Sequence, residues 1–174
     1  MNKHFITQIE ISNLRNIRNV NIEINKDKPK HLILTGKNGV GKTTILEAIK
    51  NYLKCIEINW LSTLHYYKNT LIENEQKLMK QNAPENIAVL EGKINECKKV
   101  LTQFGVYGFD VKISCDENDI VTLFKDGKFI IAYFDANRYT SVEIPKSPEK
   151  VDLNRTFSIE DKPSNIFIKY LLDL

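Results

Sequence analysis

Eight consecutive residues, Gly36-Lys37-Asn38-Gly39-Val40-Gly41-Lys42-Thr43, satisfy the pattern G-x-x-x-x-G-K-[ST] at every fixed position. The chemistry this spacing serves is phosphate binding. Glycines lack a Cβ, so the backbone at Gly36, Gly39 and Gly41 can turn its N–H groups toward phosphate oxygens and form an anion nest. A helix starting near Lys42 adds free amides and the positive end of its dipole. Lys42 is then the point charge for β- and γ-phosphates, and Thr43 supplies a hydroxyl for Mg²⁺. Thr44 is sited for a further phosphate contact.

Such a loop works only between a strand and a helix, and the flanks have that character. The apolar stretch His31-Leu32-Ile33-Leu34-Thr35 reads as a buried strand leading in, and Thr44 to Leu53 as a helix leading out. Two earlier segments, Phe5 to Ile11 and Val20 to Ile24, alternate apolar and polar side chains and predict a half-buried antiparallel pair, with Asn13 to Asn19 turning between them. The polar run Asn25 to Lys30, with Pro29, separates that pair from the nucleotide strand.

Beyond the first helix the apolar positions Leu64, Tyr67, Leu71 and Leu78, then Ile87, Leu90, Ile94, Cys97 and Leu101, keep helical spacing. The stretch Lys80 to Asn86 between them is polar and contains Pro84, so residues 62–103 read as an inserted helical hairpin with a short heptad seam. Charged residues fill the other faces, which favours a projecting hairpin over core helices packed on a sheet, and a protein partner is expected there. The period then changes. Phe109 to Cys115, Ile120 to Lys125 and Lys128 to Phe134 read as an antiparallel meander, and residues 161–174 as a helix with Ser164 as candidate cap.

At 174 residues and 42% hydrophobic content the chain can bury one proper core. No apolar run approaches the roughly 20 residues of a membrane span, nor is there a signal-peptide stretch at the N-terminus, so a cytoplasmic protein is expected. Cys55, Cys97 and Cys115 lack C-x-x-C spacing, which argues against both a disulfide framework and a zinc site. The net charge is +3, with 10 Lys/Arg against 5 Asp/Glu in residues 1–60 and 15 against 17 in the remainder. That asymmetry permits a DNA-facing patch without requiring one. The chain ends inside an apolar run with no helix stop, as a fragment of a longer protein would.

Three features together resemble the N-terminal lobe of the RecF, OLD and SMC-like ATPases: Ile11-Ser12-Asn13-Leu14-Arg15-Asn16-Ile17, the loop written Gly-x-Asn-Gly-x-Gly-Lys-Thr, and Thr44-Ile45-Leu46-Glu47-Ala48-Ile49. These are ABC-class proteins of DNA repair, DNA maintenance or phage defence. The resemblance implies an α/β P-loop NTPase lobe over residues 1–174, with a mixed sheet, the antiparallel meander and the hairpin as an insertion. It also implies ATP as the nucleotide, a second ATPase head bound head-to-tail as a homodimer, and DNA as a further partner. Residues 36–44 would bind the triphosphate, and Arg15 with Asn16 matches the family motif that lies near the nucleotide.

The departures from that family are equally specific. No Asp-Glu pair of the Walker B type, no Ser-Gly-Gly signature and no late histidine is evident. Phe129 to Asp135 imitates Walker B, with Asp135 a candidate for Mg²⁺, but Ala136 stands where the catalytic glutamate belongs. Asn137 and Arg138 lie where the family places a glutamine loop. The expectation is therefore half an ATPase site, with catalytic residues unknown. Two alternatives share the loop: a small P-loop kinase, and a nucleotide-gated scaffold without hydrolysis. The kinase is disfavoured by the two strands ahead of the loop and by the scarcity of lid arginines, Arg138 and Arg155 alone.

Overall fold

A computed structural model of the chain describes residues 4–133 and Ser158. The element order is β1 (Ile6–Leu14), β2 (Ile17–Glu23), α1 (Lys42–Glu57), α2 (Leu61–Leu78), α3 (Pro84–Gln103), β3 (Phe109–Ile113) and α4 (Glu117–Lys125). The three strands form one antiparallel sheet in the order β2-β1-β3.

Alternation along β1 divides the sheet into two faces. Ile9 and Ile11 are buried and stand opposite Val111 and Phe109 of β3, making apolar cross-strand pairs on the inner face. The residues between them are polar: Glu10 ion-pairs with Lys112 at 2.6 Å, and Gln8 Nε2 donates to Asn21 at 2.8 Å. The inner face packs on α1, whose buried residues Ala48, Tyr52, Cys55 and Ile56 recur at helical spacing. Leu64, Leu101, Val106 and Ile120 close the same core from α2, α3, the turn after α3, and α4.

Helices α2 and α3 pack along their lengths, with the connection 79–83 between them and Pro84 opening α3. Their seam buries Leu64, Leu71, Ile94, Cys97 and Leu101, as the spacing predicts, and also a polar residue, Asn74, only 6% exposed. Its Nδ2 donates to the Thr70 carbonyl at 2.8 Å. At the root of the pair, the ring of Trp60, which precedes α2, stacks on Phe104, which follows α3, with centroids 3.9 Å apart. Lys68 Nζ ties α2 to β3 through the Phe109 carbonyl and the Asp110 carboxylate, at 2.8 and 2.7 Å. Tyr52 of α1 lies 3.2 Å from His65 Nε2 of α2, and the same imidazole faces Glu117 of α4.

Several sequence expectations need correction. The segment Ile120 to Lys125 is not a strand but most of α4. Its apolar residues Ile120, Leu123 and Phe124 fit a helical stripe, and Asp116, Glu117 and Asp119 stand at its start, where carboxylates favour a helix. No strand occurs over 128–133, so the described part has no meander. Nor, among the described residues, is the sheet mixed. Residues 31–35 form no strand: both edges of β1 are taken by β2 and β3, and the segment pairs with neither outer edge of the sheet. They stand off the sheet as extended chain, with Ile33 80% exposed, across a cleft of about 690 Å³. The expected helix 161–174 lies outside the described residues.

Candidate nucleotide site

The phosphate loop crosses from that extended segment to the N-terminus of α1. Gly41 precedes the helix with φ +100°, and a Cβ there would lie 2.7 Å from Ile17 Cδ1. Both the conformation and the close approach of β2 therefore call for glycine. The first bond of the new helix runs from Ile45 N–H to the Gly41 carbonyl at 3.0 Å, so the amides of Lys42, Thr43 and Thr44 precede the hydrogen-bond ladder. No acidic residue occupies the first turn of α1. Free donors and the unopposed positive end of the helix dipole favour negative charge at this point.

Lys42 turns back over the loop. Its Nζ donates to the carbonyls of Gly36 at 2.7 Å and Lys37 at 2.8 Å, so the ammonium is held inside the loop's own mouth. Lys37, Asn38, Gly39 and Val40 form an exposed turn, and the Thr43 side of the first helical turn is exposed as well. Thr44 is half-buried.

Strands β1 and β2 join through a two-residue turn, Arg15-Asn16, in which Arg15 takes φ +52°, a region costly for a non-glycine residue. The Arg18 guanidinium donates to the Arg15 carbonyl, bracing the turn. From there Arg15 reaches α1: Nη1 is 3.4 Å from Thr44 Oγ1 and Nη2 is 3.7 Å from Glu47 Oε2. These side chains are 70% and 47% exposed, so the pair contributes little stability. What it does is hold a guanidinium beside the loop. Asn16 is exposed at the turn and makes no hydrogen bond to the loop among the described residues.

The structure thus brings Arg15 to the loop region 36–44. Asp135, Asn137 and Arg138 lie outside the described residues. Among the described residues no three His, Cys, Asp or Glu side chains cluster as a metal site. Two neighbours were not singled out as site residues from the sequence: Ile17, which packs against Gly41, and Glu47, which holds Arg15. The spacing Thr44 to Glu47, one helical turn, is the signal that could have found the second.

Residues 8–53 match the family model described as AAA domain. Over 50 residues the chain is 46% identical to Septu protein PtuA of Bacillus mycoides (strain KBAB4), a match that takes in 27% of this chain and 7% of that protein. No solved structure matches. No described helix is long and apolar enough to cross a membrane. The matched stretch runs from β1 through the phosphate loop to most of α1, and over it the chain is similar to the AAA domain.

Proposed function

We propose that the chain is the ATP- and Mg²⁺-binding lobe of a RecF/OLD/SMC-like ATPase, and that it binds nucleotide without completing the hydrolytic site alone. The observation that carries this reading is the state of the loop: an ammonium held in its mouth, three amides ahead of the helical ladder, and no carboxylate in the first turn. A triphosphate entering there exchanges Lys42's two carbonyl partners for β- and γ-phosphate oxygens. The Thr43 hydroxyl is the protein's oxygen ligand for Mg²⁺, an ion that keeps several waters and phosphate oxygens around it and needs few side chains. Arg15 adds positive charge near the phosphates.

Catalysis needs a base or water-positioning group, and none stands at the loop among the described residues. A C-terminal lobe and a second head, docked head-to-tail, supply it in this reading. Helices α2 and α3 form an inserted module, open to a protein partner. DNA remains the cargo that the resemblance implies. Among the roles in repair, DNA maintenance and anti-phage defence, defence leads, because the similar segment belongs to a Septu protein. The protein works in the cytoplasm on this view. Isothermal titration and phosphate release on the chain test the proposal: micromolar ATP binding with negligible turnover is expected, and sustained hydrolysis by the monomer overturns the incomplete site.

A further inference from the structure

Resting on the nucleotide reading above, we infer that the nucleoside half of the ligand lies in a second cleft beside α1, stacked on Tyr107 and hydrogen-bonded by Asn51. This cleft of about 270 Å³ is lined by Arg15, Thr44, Glu47, Asn51, Gly105 and Tyr107, among others. Thr44 and Arg15 are shared with the surroundings of the phosphate loop, so the two sites adjoin. From Thr44 the lining runs along one face of α1 through Glu47 to Asn51, about 10 Å at the helical rise. Small-molecule pockets begin near 300 Å³, so a cleft this size takes a base with its sugar and leaves the phosphates outside, at the loop.

The lining has the chemistry a purine needs. Asn51 presents a donor and an acceptor on one planar group, the pair that matches the adenine edge. Among the described residues that side-chain amide makes no hydrogen bond, although it is half-buried. Gly105 allows it to sit there: a Cβ on Gly105, at φ +66°, would come within 2.3 Å of Asn51 Nδ2. Tyr107 offers an aromatic face for stacking, and its hydroxyl interacts with the Lys98 ammonium. Lys98 in turn reaches Glu75 of α2 at 3.0 Å. This wall of the cleft is therefore built by the exit of α3, outside the matched residues 8–53.

The test compares ATP with inorganic tripolyphosphate, by calorimetry in Mg²⁺, on the whole chain. Asn51→Leu and Tyr107→Ala are each expected to weaken ATP about tenfold while tripolyphosphate changes less than twofold. Tyr107→Phe, which keeps the ring, restores most of the affinity. Thr102→Trp, a surface change at the rim with little bearing on folding, blocks ATP alone by filling the cleft. Unchanged ATP affinity in all these variants, equal loss of both ligands, or a wild-type chain that binds tripolyphosphate as tightly as ATP overturns the nucleoside site. A wild-type chain that binds neither ligand instead removes the nucleotide reading on which it rests.

Discussion

The two halves of α1 are built on opposite principles. Its C-terminal half carries Tyr52, Cys55 and Ile56 into a core shared by β1, β3, α2 and α4, and these side chains are almost wholly shielded from water. Its N-terminal half emerges from an exposed glycine loop whose order comes from backbone conformation and a lysine bonded to carbonyls. One half is positioned by packing, which is costly to disturb. The other is positioned by chirality and hydrogen bonds, and it leaves its donors available. Stability and binding should therefore separate cleanly along a single helix.

The sharpest way to break that comparison is in the core. Phe109→Ala removes a ring that is 2% exposed against Ile11 and should cost about 3–5 kcal/mol in urea unfolding. Nucleotide affinity of the remaining folded fraction should be unchanged; a parallel fall in affinity would show that the halves are coupled. The reciprocal change, Lys42→Ala, should lower ATP affinity about 100-fold, near 2.7 kcal/mol, in titration calorimetry. Its melting temperature should stay within about 2 °C, because the lost bonds lie on an exposed loop.

A smaller effect lies in alkali. Burial raises the Cys55 thiol from its ordinary 9.0 to about 11, only partly offset by Lys68. Below pH 9 the thiol is protonated in folded and unfolded chains alike, and its contribution is fully present. Between pH 9 and about 11 only the unfolded thiol ionises, so stability falls through that window. Cys55→Ala should flatten the fall in urea midpoint. Part of the slope persists, because burial and the nearby Asp110 and Glu117 also raise the Tyr52 hydroxyl. A wild-type slope unchanged by the substitution would place the alkaline loss elsewhere.

The smallest change is at Asn74, the polar residue in the α2–α3 seam. Asn74→Leu should be neutral or stabilising by up to about 1 kcal/mol, since an apolar neighbour replaces a buried amide. If the amide fixes the register of the two helices, the variant should broaden the side-chain NMR signals of Leu71 and Ile94 despite its stability.

The sequence made some of this plain and hid the rest, for physical reasons. Strands β1 and β2 were legible because one face of each meets solvent, so polar and apolar residues alternate, and the two are adjacent in the chain. Helices α2 and α3 were legible because their stripes are long. Helix α4 was misread as a strand: nine residues hold too few turns to display a period, and Ile120 and Val121 are β-branched. The pairing of β1 with β3 joins residues about a hundred positions apart, and no local pattern encodes it. At the site, the loop motif is local, so its residues and the start of α1 could be read directly. The reach of Arg15 to Thr44 and Glu47 required the β1–β2 turn to be set against α1, a tertiary fact. Residues 31–35 have the composition of a buried strand, yet burial depends on partners, which composition does not supply.

The stacked rings of Trp60 and Phe104 carry a topological consequence. They clasp the chain where it leaves the lobe after α1 and where it returns before β3. Everything between is a closed excursion whose endpoints are pinned regardless of its length. Leu64, Lys68 and Leu101 at its root belong to the lobe, but beyond them closing a longer loop adds only about 0.6 kcal/mol per doubling, so the far end of the excursion can be extended or shortened at little cost. The clasp fixes the root, and the length of the arm beyond it is left to vary.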